Sequence, residues 1–127
     1  MRDLYSNIAA TPALAPAVQA AAATGATIDL QAVRSVAFVV STGAIVGSGD
    51  FGVTIQESDT TTSGDFADAA AAVIDTDAPA TLEASTSYRL GYRGFKRYVR
   101  LSLTKAGGTS IAAGAVAVTE PLTRPVA

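Results

Sequence analysis

Residues Tyr88 to Thr104 read Y-R-L-G-Y-R-G-F-K-R-Y-V-R-L-S-L-T, and the reading of this stretch decides the fold. It holds three of the four tyrosines and five of the nine basic residues, so its packing and its charge weigh on the whole chain. In its second half Val99, Leu101 and Leu103 fall on one side of an extended chain, and Tyr98, Arg100 and Ser102 on the other. Successive side chains of a strand point to opposite faces, so this split predicts a half-buried antiparallel strand. Around Arg93-Gly94-Phe95-Lys96 the pattern predicts two strands joined by a tight connection, a central hairpin. Its apolar side is expected in a core. Its aromatic and basic side either meets a partner or covers a sheet face within the monomer.

The same alternation recurs outward from this stretch. Ala26–Leu30 and Val33–Val40 predict strands, with Val36, Phe38 and Val40 sharing one face and Ala37 and Val39 the other, so that both sides can be covered. Gly43, Gly47 and Gly49 supply a turn or flexible connection before Phe51–Gln56, where Phe51, Val53 and Ile55 face inward. Glu57–Asp68 is rich in turn-forming Asp, Ser, Thr and Gly, with Phe66 expected to pin its far end into the core. Ala69–Ile74 reads as a strand or a single helical turn, and Ala80–Ala84 as a short edge element. Gly107-Gly108 predicts a turn before a last strand over Ile111–Val118, with Gly114 at a bulge.

Strands of this length, with no long helical stripe, predict an all-β chain, a single-domain antiparallel β-sandwich of about seven to nine strands. Residues 26–120 form the sandwich domain, and residues 121–127 form a C-terminal tail closed off by Pro121 and Pro125. Residues 1–25 form an extended N-terminal arm. Pro12 and Pro16 prevent a continuous helix there, while the alanines after Pro16 allow either a short helix or an edge strand around residues 17–22. Such an apolar arm is expected to lie on the body or on a neighbouring subunit. Removing residues 1–15 is then expected to weaken attachment while leaving the fold intact.

Composition narrows the function. With 127 residues and no cysteine there is neither a disulfide framework nor a thiolate metal site, and the absence of histidine removes the commonest general base. The spacing of the carboxylates in Glu57–Asp68 fails the calcium-loop pattern, so a solvated loop is expected. These features predict no enzyme, no metal and no cofactor. Arg93-Gly94-Phe95 begins like an RNA-recognition motif, but Lys96 and Arg97 break the pattern, and no nucleic-acid partner is expected. No apolar run is long enough for a bilayer, so no membrane association is expected. The residues through Ser87 carry a net charge of −8 and those from Tyr88 onward +6. That asymmetry becomes either a bipolar surface or a set of neutralising pairs.

Two resemblances add to this reading. V-x-I-Q-E-S-D at Val53–Asp59, a polar turn, Phe66 and R-Y-V-R-L at Arg97–Leu101 resemble the galactose-binding-like jelly rolls. This supports a jelly-roll sandwich more than sugar binding, because the usual Trp platform is missing. Met1–Ile8, Ala13–Ala21, Val36–Ile45, Gln56–Asp59, Asp77–Leu82, Tyr88–Leu101 and Gly107–Val118 together resemble small structural-module proteins of tailed phages and prophages. The segment Thr60–Gly64 departs from the simpler D-G turn. The resemblance implies a head decoration (cement) protein, made in the host bacterial cytoplasm and carried on the capsid surface of the virion. Its implied partners are the major capsid protein and further copies of itself, as a homo-oligomer, a trimer. Arg2, Leu4, Tyr5, Tyr92, Arg93, Arg97, Tyr98 and Arg100 are the expected interface residues, since Tyr and Arg are enriched at binding hot spots. A head–tail connector or tail component is the alternative, with a glycan- or receptor-binding jelly roll as the alternative from another class.

Overall fold

A computed structural model describes residues 3–122. The chain folds as two antiparallel sheets packed face to face, an all-β sandwich. The strands are β1 (Ala9–Gln19), β2 (Ala23–Thr24), β3 (Ile28–Asp29), β4 (Val33–Val46), β5 (Asp50–Ser58), β6 (Ala67–Asp68), β7 (Ile74–Thr76), β8 (Ser87–Tyr92), β9 (Tyr98–Gly107) and β10 (Ser110–Pro121). The first sheet runs β1-β10-β4-β8-β7 and the second β2-β9-β5-β6, with β3 also pairing with β9.

The expected inward faces are the observed ones. Val36, Phe38 and Val40 of β4, Phe51 and Ile55 of β5, and Val99, Leu101 and Leu103 of β9 are all buried in one core. Small and large residues alternate across the first sheet. Phe38 lies opposite Ala117, and Ala115 lies between Val40 and Leu14. The alanines of β10 thus leave room for larger neighbours, as close packing requires.

The pairing differs from expectation at the decisive stretch. β8 belongs to the first sheet and β9 to the second, so residues 93–97 cross between sheets and the expected hairpin does not form. The turns at 47–49 and 108–109 do the same, carrying β4 into β5 and β9 into β10. Gly47 and Gly108 sit in these corners at φ of 62° and 77°, a region that L side chains rarely adopt. A tight glycine turn reads alike whether it closes a hairpin or turns a corner between layers.

Three other expectations are corrected. The arm expected over residues 1–25 is extended and lies on the body as expected, but its edge strand runs over Ala9–Gln19, pairing with β10 from Ala9↔Thr119 to Gln19↔Ile111, rather than around residues 17–22. Its prolines are tolerated because an edge strand has one unpaired side. Ala80–Ala84 forms no strand; instead the backbone N–H of Leu82 donates to Phe51 O at 2.8 Å and the Leu82 side chain is buried. Phe66 is not a core anchor, and lies half-buried against the outer face of the second sheet. The register of β1 on β10 shifts between Leu14 and Ala17, opposite Gly114 where a bulge was expected; Pro16 passes over this glycine, and a Cβ there would come within 2.9 Å of the proline Cα. Most of the tail expected over 121–127 lies outside the described residues.

Leu101 sits fully buried at the middle of β9. Leu101→Ala is expected to cost about 2–5 kcal/mol, read from the denaturant midpoint, whereas Phe95→Ser at a fully exposed loop tip should shift it by less than about 0.5 kcal/mol.

Candidate interaction surfaces

The connection 93–97 is organised from the core outward. Tyr92 shares its parity on β8 with Tyr88 and Leu90, and all three are buried. Its hydroxyl donates to Glu57 Oε1 at 2.9 Å and accepts the backbone N–H of Lys96 at 3.1 Å. Burial pushes this phenol up to about 12, reinforced by the Glu57 carboxylate. Tyr92, expected as a contact, is thus buried in the isolated chain and holds the loop in place.

The basic side chains of this region are engaged with acids from the first part of the chain. Arg93 meets Asp75 at 2.8 Å, Lys96 meets Asp59 at 2.8 Å, and Arg89 meets Asp77 at 3.4 Å. Arg97 grips Asp29 through Nε and Nη2, both at 2.9 Å, and reaches Gln31 Oε1 at 2.6 Å. The hydrogen bonds from Arg97, joined by one from the Gln31 backbone, hold the Asp29 carboxyl down at about 2. Asp77 is lowered chiefly by the backbone N–H of Arg89, and Lys96 is raised by its bond to Asp59. Among the described residues, four ion pairs thus join the basic part of the chain to the acidic part in space. Exposed pairs of this kind contribute little stability each, so their effect is mainly on the shape of the loop and the charge of the surface.

Tyr98 and Arg100 are half-buried on the outer face of the second sheet. The Arg97 guanidinium lies 5.0 Å from the Tyr98 ring centre, and that of Arg100 lies 4.2 Å over Phe66 while its Nε donates to Gln56 at 2.7 Å. These contacts lie within the monomer and give this face a polar, hydrogen-bonded cover. The loop carboxylates are likewise engaged: Asp65 accepts from the Thr60 hydroxyl at 2.6 Å. Among the described residues no three acidic side chains converge as a metal site would need.

Leu4 and Tyr5 open the chain at a single 3-10 turn, Tyr5–Asn7, held by the Ser6 N–H donating to Asp3 Oδ1 at 3.1 Å. Arg2 lies outside the described residues. The register Ala9↔Thr119, Pro121↔Val33 and Val36↔Tyr92 puts this turn, Leu122 and the 93–97 loop at the same end of the sandwich. There Leu4 is 65 %, Tyr5 86 %, Phe95 99 % and Leu122 58 % exposed. Leu4 and Tyr5 were expected as contacts and stand in the open. Phe95 was not among the expected contacts, although its place between Gly94 and Lys96, off the strand pattern, is the signal that marks it.

A second surface was also absent from the expected contacts. On the outer face of the first sheet, Pro12, Pro16 and Val18 of β1, Val116 of β10 and Val39 of β4 line a shallow groove of about 820 Å³. The sequence signal is that β1 and β10 are apolar at both parities, where a half-solvated strand alternates. Comparison with known proteins returns no match: no family model, curated protein or solved structure matches the chain.

Because the Asp29 carboxyl lies below its ordinary 3.8, at about 2, its pairing with Arg97 stabilises the fold in full above that ordinary value and is lost as pH falls through the lower one. Stability measured across this acid window should fall less steeply in Asp29→Asn than in the parent chain. Equal slopes would show that the pair does not form in solution.

Proposed function

We propose that this protein is a virion structural component, a capsid decoration protein that sits on the outside of a tailed-phage head and stabilises it by binding protein neighbours. One observation carries the reading: at a single end of the sandwich, Leu4, Tyr5, Phe95 and Leu122 project with most of their surface uncovered. Aromatic and aliphatic side chains held in the open by short turns gain free energy only when something covers them, and such residues anchor protein interfaces. The Arg93–Arg97 loop behind Phe95 is tied down by ion pairs to Asp75, Asp59 and Asp29, so the anchor is presented with little freedom left to lose on binding. The resemblance of the chain to phage structural-module proteins supports the same reading. A decoration protein binds many equivalent sites on a shell, and a small rigid sandwich with an apolar end suits that task.

Copy number on purified virions tests this directly. Decoration expects on the order of hundreds of copies per head, whereas roughly six to twelve would move the protein to a head–tail connector. Deleting residues 1–15 is not a clean probe of contact, because Ala13 and Leu14 are part of the core. Tyr5→Ser combined with Phe95→Ser leaves the core untouched. It should weaken attachment to undecorated heads by at least about tenfold with the thermal midpoint unchanged, and unaltered occupancy would reject this end as the contact.

A further inference from the structure

We infer that two copies of this chain pair through the outer face of the first sheet, formed by β1, β10 and β4, about a two-fold axis. The inference rests on the reading of the chain as a structural module and names the surface through which it self-associates.

Charge is compatible with a second copy as the occupant. A two-fold contact sets one patch against its own copy, so a charged patch would face like charge. β1, β10 and β4 together hold only two ionisable residues, Arg34 and Glu120, and these lie 3.8 Å apart at one end of the face. The outer face of the second sheet, by contrast, carries Arg100 and Gln56, and the 93–97 end carries several ion pairs. A neutral apolar centre with a paired charge at its rim is the layout of a self-complementary interface.

Relief fits as well. Gly114 forms the floor of the groove, and Pro16 rises beside it closely enough to exclude a Cβ. Val18, 69 % exposed, and Val116, 41 % exposed, stand as ridges along it. A two-fold axis lays the ridge of each copy into the groove of the other. Area is sufficient too. Three strands about 4.8 Å apart and a length near 40 Å give a face of about 580 Å² per copy, so a pair covers about 1,150 Å², just above the roughly 1,000 Å² that a specific contact needs.

The sheet edges close the other route to self-association. β1 is interrupted by Pro12 and Pro16, β7 is three residues long, and β2 and β6 are two each. Edges so short or so poor in donors do not template strand addition.

Light scattering on the full chain at micromolar concentration tests the pairing. The expected mass is twice the 12.7 kDa of one chain. Val116→Lys places a charge on the exposed ridge and should halve that mass with the circular dichroism spectrum unchanged. Val18→Lys makes the same test from the other ridge should the first variant fail to fold. A parent chain that stays monomeric, a mass of three copies, or a doubled mass that persists in both variants overturns the inference. A doubled mass in solution with no attachment to phage heads would leave the pairing standing and remove decoration. Decorated heads with a monomeric chain would do the reverse.

Discussion

The structure depends on two central strands that point into the same core from opposite sheets. β9 contributes Val99, Leu101 and Leu103, and β10 contributes Ile111, Ala113, Ala115 and Ala117, with the Gly108 corner joining one to the other. Each is flanked on both sides within its sheet, β9 by β5 and by β2 and β3, β10 by β1 and β4. Because one face of every flanking strand must reach this core, the burial of Phe38, Phe51 and Ile55 follows from it. The alanines of β10 allow neighbouring large side chains to fill the space, so a chain poor in aromatics still closes a well-packed core.

Charge is distributed by the same topology. Pairing within each sheet, of β7 with β8 and of β3 and β5 with β9, brings the basic second part of the chain against the acidic first part, and the ion pairs of Arg89, Arg93, Lys96 and Arg97 each span that divide. Screened and exposed, they add little to stability. Their consequence is for the surface. The loop end and the outer face of the second sheet become closely knit polar regions. What remains distinctive is uncovered apolar surface at Phe95 and Tyr5 and along the outer face of the first sheet.

The edges and the faces of the sandwich divide the handling of association. The prolines of β1 and the shortness of β2, β6 and β7 make these strands poor templates for another chain. The apolar outer face lacks that open hydrogen-bonding ladder, so contact through it requires matched shape. Contact through a matched face avoids the open-ended strand addition that leads to fibres.

The existence of the long central strands β4, β5, β9 and β10 and the inward faces of β4, β5 and β9 were legible in the residues alone. Val36, Phe38 and Val40, or Val99, Leu101 and Leu103, announce themselves through a two-residue period that depends only on local geometry. Partner choice was not legible. Glycine-rich turns at 47–49 and 107–108 and the loop at 93–97 read equally as hairpin turns and as corners between sheets, and only the closing of the core over long separations selects between them. Tyr92 shows the same division: its parity with Leu90 points inward, while its neighbours Arg93 and Lys96 suggest a surface. β1 does too, because its two prolines argue locally only against a helix, and the free side of a sheet edge is what places Ala9–Gln19 as a strand. Sequence settled which side of each strand avoids water, since that is a property of single segments; tertiary structure settled which surfaces stay uncovered, since that is a property of the assembled sheets.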